Sequence, residues 1–289
     1  MKFITFVRDG VEAPGVWLDG GKVVDLTPVA ETLMDLIEGG AVALAAARAL
    51  AADGSKAFAA EGVTLLAPLP RPRKNAFCVG RNYVEHVNEG ARAMGGQAKL
   101  PEVPQFFTKA PTAVNAPGAP VRLDPSLTKL LDYEVELAVI IGKTGRDIPR
   151  DRAYEHVFGY TVANDVTARD LQRRHDQWFK GKSLDTSLPL GPWIVDAGEI
   201  GDPTTLELSL TVNGEERQRA KASMMIFDIP AIIASLSAGM TLEAGDIIAT
   251  GTPSGVGFAM DPPQGLKDGD VVVARIDRIG ELVSPIKGV

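Results

Sequence analysis

Glu134 and Glu136 stand two apart in a segment, LDYEVELAVIIG, that alternates apolar and polar residues. On a strand, period-two geometry sends both carboxylates to one face while Tyr133, Val135, Leu137 and Val139 take the other. Two like charges side by side repel. They mark either a strand with one wet face or a pair that shares a counter-ion. A further acid, Asp165, follows an apparent strand at 158–163, where the chain turns through Asn164, Asp165 and Val166. Three carboxylates with no paired His or Cys nearby describe a site for a hard, oxygen-seeking cation. Magnesium or manganese suits it, whereas zinc would recruit His or Cys. His86 and Glu89 stand three apart, which on a short helix places them on one face, the carboxylate orienting the imidazole as a base. The ordinary alternative is a surface contact. Of the two other histidines, His156 in AYEHVFGY reads as structural. His175, in Arg173-Arg174-His175-Asp176, reads as a solvated helix face, a group behind the site or a substrate contact.

These residues need elements to hold them. The segment 132–141 predicts a half-buried strand. LELSLTVNGEERQRA alternates likewise, and Asn213–Gly214 predicts a two-residue hairpin turn. A helix is expected from an N-cap at Asp228 through Ile229, Ile232, Ile233 and Leu236 to Gly239. The tail, with GDIIATGTPSGVGFAM and GDVVVARIDRIGELVSPI, reads as further strands and turns. Upstream, MKFITFV and GVWLDGGKVVDL read as strands, followed by two helical stretches closed by glycine. The proline-rich, basic APLPRPRK (67–74) suits a linker. The sequence therefore divides into a small N-terminal α/β unit with its linker (1–70) and a larger, strand-dominated α+β unit (71–289). Between His86 and Pro104 lies EGARAMGGQAKLPEVP, expected as a loop or lid that carries the dyad to the metal.

Bulk properties exclude several classes. Thirty glycines and twenty prolines favour many short strands over long helices. A net charge of -7 argues against nucleic acid, which needs a concentrated basic face. No apolar run approaches the roughly 18 residues of a membrane span. An Asp at position 9 interrupts any signal-peptide core. The single cysteine, Cys78, rules out an intrachain disulfide and suits a reducing cytoplasm. TGTPSGVG lacks the Gly-Lys-Ser/Thr of a nucleotide-phosphate loop.

Six strings in order, VGRNYVEHVNE (79–89), PQFFTKAPTAVNAPG (104–118), DYEVELAVIIG (132–142), NDVTARDLQ (164–172), KGKSLDTSLPLGPWIV (180–195) and TGTPSGVG (250–257), resemble the fumarylacetoacetate hydrolase family. The resemblance spans roughly 77–289. It implies a mixed β-roll with a few helices, assembled as a homodimer. By the same resemblance, Glu134, Glu136 and Asp165 are the metal ligands, His86 and Glu89 the water-activating dyad, and Lys182 the active-site lysine. Arg169 and Gln172 match polar positions beside the third ligand. Gly251 and Thr252 match a loop that holds a substrate carboxylate by backbone and hydroxyl. Lys109 matches a lysine that is either substrate-binding or structural. No metal or dyad position is substituted, which favours an active enzyme over a metal-stabilised binding protein.

The parts make one mechanism. A Mg2+ or Mn2+ ion would polarise the two oxygens of a 2-keto acid head. His86, held by Glu89, would activate water against a distal carbonyl, and Lys182 would steady the developing enolate. The expected reaction is hydrolysis of a 1,3-diketo acid of acylpyruvate type (fumarylpyruvate, maleylpyruvate or fumarylacetoacetate) in aromatic-compound catabolism. Decarboxylation or isomerisation of a 2-keto or 2-hydroxydienoic acid, oxaloacetate included, runs through the same enolate and stays open. So does cleavage of a 2,4-diketo-3-deoxy sugar acid.

Overall fold

The computed structural model describes residues 1–289 and centres on the strand Val135–Ile141. The half-buried strand expected here is instead buried along its whole length. Tyr133, Val135, Leu137, Val139 and Ile141 enter the larger hydrophobic core, while Ala138 and Ile140 enter a second one. The face that carries Glu134 and Glu136 thus becomes core within one more step. The apolar run that follows Glu136 has no polar residue with which to keep that face wet.

Val135–Ile141 pairs antiparallel with Val157–Asn164 on one side and with Ile247–Ala249 on the other. Ile247–Ala249 runs parallel to Ala76–Gly80, which pairs antiparallel with Gln105–Lys109 at the sheet edge. This alternation of direction has a chemical consequence. The start of 135–141 and the ends of 157–164, 247–249 and 76–80 fall along one margin of the sheet. Glu134, Asp165, Gly251 and the run toward His86 leave from that margin.

The N-terminal strands continue the same sheet. Lys2–Arg8 pairs with Leu188–Asp196, which in turn pairs with Val157–Asn164. Phe3, Leu33, Leu36 and Ile37 share the second core with Ala138, Ile140 and Leu190, and Ala67 and Leu69 of the proline-rich segment are buried there too. The helix Gly40–Asp53 buries only Ala47 and ends at Gly54, which is left-handed.

A separate five-stranded sheet closes the larger core. Its hairpin joins Glu207–Val212 to Glu215–Lys221 through Asn213 (φ 53°) and Gly214 (φ 82°), the positive pair that a tight two-residue turn requires. The helix Ile229–Ser237 starts as expected, with the Asp228 side chain accepting from the Ala231 amide. No helix is long and apolar enough to cross a membrane.

Candidate active site

Glu134, Glu136 and Asp165 converge, each offering a carboxylate oxygen within 4.8 Å of the others, and all three are buried. The backbone fixes them before any side chain does. The Asp165 amide donates to the Glu134 carbonyl at 2.8 Å, and the Glu134 amide donates to Asn164 Oδ1 at 3.0 Å. Cations then surround two of the acids. Lys182 Nζ lies 2.7 Å from Glu134 Oε2 and 2.6 Å from Asp165 Oδ2. Lys109 Nζ donates to Asp165 Oδ1 at 2.6 Å and to the Val166 carbonyl at 2.9 Å. Arg169 Nη2 forms an ion pair with Glu134 Oε1 at 2.6 Å.

The charge is shared unequally. Burial opposes ionisation of Glu134, but the Lys182 and Arg169 charges outweigh it and hold this carboxyl well below the usual range. Glu136 has one donor, the Gly251 amide at 2.8 Å. Burial, with the Asp165 and Glu134 charges beside it, pushes its pKa well above normal. Burial also lowers the Lys109 pKa, whereas for Lys182 burial is overcome by Asp165 and Glu134. Glu136 is the acid that lacks a cation. An all-oxygen donor set around it fits a hard divalent ion, magnesium or manganese.

Across from the cluster, His86 and Glu89 ride on the helix Val84–Ala93, which buries Val87, Glu89, Gly90 and Ala91. His86 Nδ1 donates to Glu89 Oε1 at 2.8 Å, and Glu89 Oε2 accepts from the Gly255 amide at 2.8 Å. With the proton on Nδ1, the lone pair of neutral His86 is on Nε2. The short helix expected to hold His86 and Glu89 on one face is present, with Val87 and Ala91 buried, and it runs on to Ala93, so the first part of the segment expected as a loop or lid is helical instead. Only the segment after Ala93 is irregular and exposed, tied back where Arg81 Nη2 donates to the Lys99 carbonyl at 2.7 Å.

The glycine-rich turn at 250–258 joins the two halves. Its amides at Gly251, Gly255 and Gly257 donate to Glu136, Glu89 and Asp132, and Phe258 adds a second bond to Asp132 at 3.0 Å. Gly255 has φ +107°, and a Cβ there would run into the Arg217 carbonyl oxygen, so glycine is required. Asp132 also accepts from Arg169 Nε at 2.9 Å. Sequence reading missed Asp132 and Gly255. Asp132 is fully buried at the head of the Glu134 strand, and an acid opening so apolar a run was its one signal.

A cavity of about 470 Å3 opens over the cluster. His86, Glu134, Glu136, Arg169, Gln172, Lys182 and Thr252 line it, with Phe107, Trp178 and Phe258 as apolar walls. Asp165, Lys109, Glu89 and Gly251 sit behind these, supporting groups that face the space. Gln172 Oε1 accepts from Arg169 Nη1 at 3.2 Å, which leaves the Gln172 amide hydrogens for a ligand. His175 is exposed and lines the cavity wall with Arg173. His156 lies elsewhere, its Nδ1 donating to the Lys143 carbonyl at 2.7 Å. A small acid could thus meet a cation, a base and fixed donors in one space.

Comparison with known proteins identifies the family. Residues 75–287 match the family model described as fumarylacetoacetate (FAA) hydrolase C-terminal. Oxaloacetate tautomerase YisK of Bacillus subtilis (strain 168) is 48% identical over 304 residues, covering 99% of this chain and 100% of that protein. The structure of fumarylacetoacetate hydrolase from psychrophilic Exiguobacterium antarcticum superposes with a TM-score of 0.85 at 42% identity, covering 100% of both chains. Maleylpyruvate hydrolase from Sphingobium sp. SYK-6, in complex with manganese(II) ion and pyruvate, gives a TM-score of 0.81 at 32% identity over 100% of this chain and 99% of that one.

Proposed function

The chain belongs to the fumarylacetoacetate hydrolase family, and from that premise we propose that it shifts a proton beside the 2-oxo group of a small keto diacid, interconverting keto and enol forms of an oxaloacetate-type substrate. One observation carries this reading. His86 is the imidazole on the cavity wall whose Nδ1 is engaged by a buried carboxylate, leaving Nε2 without a protein partner beside Glu134 and Glu136. Full-length likeness to an oxaloacetate tautomerase supports it.

In this reading His86 Nε2 takes a proton from carbon 3 of the keto acid, and Glu89 stabilises the imidazolium that results. The Lys182 ammonium has three N–H donors; Glu134 and Asp165 take two, and the third is left for the developing enolate oxygen. Returning the proton to that oxygen completes the enol, with no atom gained or lost. Phe107, Trp178 and Phe258 limit water around the exchange. A divalent ion held by Glu134, Glu136 and Asp165 would supply Lewis acidity toward the acid's oxygens.

The test follows enol oxaloacetate by ultraviolet absorbance with magnesium. Conversion faster than the uncatalysed rate, abolished by chelator, is expected; equal rates with and without the protein would overturn the proposal. A second reading, hydrolysis of an acylpyruvate in aromatic-compound catabolism, is favoured by the likeness to maleylpyruvate hydrolase. There His86 would deprotonate water rather than carbon. Mass analysis separates the two, since hydrolysis releases two acids and tautomerisation releases none.

A further inference from the structure

Gln218 is 1% exposed and lies on the hairpin strand Glu215–Lys221, in the sheet behind the site. Its side chain reaches across to two parts of the catalytic region. Gln218 Oε1 accepts from the Val135 amide at 2.9 Å, and Gln218 Nε2 donates to Thr252 Oγ1 and to the Pro253 carbonyl, both at 2.8 Å. The orientation of this amide is fixed by chemistry. A backbone N–H at one end must meet oxygen, and a backbone carbonyl at the other must meet nitrogen.

Val135 lies between Glu134 and Glu136, at a point the neighbouring strand does not reach, since the ladder with Ile247–Ala249 stops at Ala138. The Gln218 oxygen replaces the missing ladder acceptor there. At Thr252, which is 3% exposed and lines the cavity, the hydroxyl oxygen already receives a hydrogen bond from Gln218, and its own proton has no acceptor in the protein. A hydroxyl that accepts from behind is left to donate in front.

We propose that Gln218 is a positioning residue that fixes the Thr252 hydroxyl as a hydrogen-bond donor to an oxygen of the bound acid and ties it to the strand bearing Glu134 and Glu136. This rests on the keto-acid reading above. The polarity of the amide does the work, so an isosteric change of polarity undoes it. In Gln218→Glu one oxygen still accepts from Val135, while the other, protonated, gives its single hydrogen to the Pro253 carbonyl and accepts the Thr252 proton, which turns that proton out of the cavity.

The experiment measures oxalate binding by titration calorimetry with saturating magnesium in the unaltered protein, Gln218→Glu, Thr252→Val and the double variant. Each single variant should bind oxalate about tenfold more weakly, the worth of one hydrogen bond to a charged group. The double variant should be no worse than Thr252→Val alone, because without a hydroxyl there is nothing left for Gln218 to orient. In turnover, the loss should fall on KM more than on kcat. Gln218→Asn, neutral but one methylene short of spanning Val135 and Thr252, should reproduce the loss if the Glu variant does not fold. Additive losses in the double variant, or full oxalate affinity in a folded Gln218 variant, would overturn the assignment alone. Failure of the unaltered protein to bind oxalate with magnesium would overturn it together with the keto-acid reading.

Discussion

The carboxylate cluster and the histidine helix face one cavity, yet Glu134 and Asp165 are gripped by three cationic side chains inside a sheet, whereas His86 depends on one bond to Glu89 at the solvent side. The cluster is held in place by these contacts, and the desolvation of Glu134 and Asp165, though not that of Glu136, is offset by Lys109, Lys182 and Arg169. The dyad is held by helix spacing, a single tether to Gly255 and two buried apolar side chains. A cation site must keep its geometry, because coordination tolerates little error. A base needs reach, and a helix followed by an exposed segment can supply it.

The sharpest break in this contrast is removal of the cation. Chelation, or Glu136→Ala, should bring turnover down to the uncatalysed rate, and magnesium or manganese should restore the chelated protein but not the variant. Full activity in a thoroughly chelated sample would take the metal out of the mechanism. Next comes His86→Ala, with an expected loss of two to four orders of magnitude, about what a general base contributes. Magnesium affinity by calorimetry should be nearly unchanged in it, since His86 makes no hydrogen bond to any of the three acids. Glu89→Gln should cost about tenfold in kcat, keeping the shape but removing the charge that steadies an imidazolium. A loss as large as that of His86→Ala would make Glu89 a reacting group rather than a partner. The smallest effect is dynamic. Amides in 94–104 should exchange fast and slow several-fold with oxalate and magnesium, while those of 135–141 should stay slowest throughout. Equal exchange in 94–104 with and without ligand would show that nothing closes over the site.

Both halves of the site could be read from the sequence where local periodicity sets the geometry. Glu134 and Glu136 share a face by strand spacing, and His86 and Glu89 by helix spacing. Asn213–Gly214 and the Asp228 cap were legible for the same reason: a few adjacent residues decide them. Lys182, Arg169 and Thr252 were reached only through family likeness. Asp132, Gln218 and Gly255 could not be read, because their meaning lies in partners 125, 83 and 166 positions away. The double-faced burial of 135–141 was misjudged because two glutamates dominated the pattern, although Ala138 and Ile140 already stood on their face.

The turn at 250–258 binds the fates of these parts together. Its amides at Gly251, Gly255 and Gly257 hold Glu136, Glu89 and Asp132, so a one-residue insertion among them would put these acids out of register together. A site wired this way fails as a whole and leaves few half-working intermediates. Variation is therefore free to accumulate on the cavity walls, at Arg81, Arg173 and His175, where a change alters what enters and leaves the reaction centre intact.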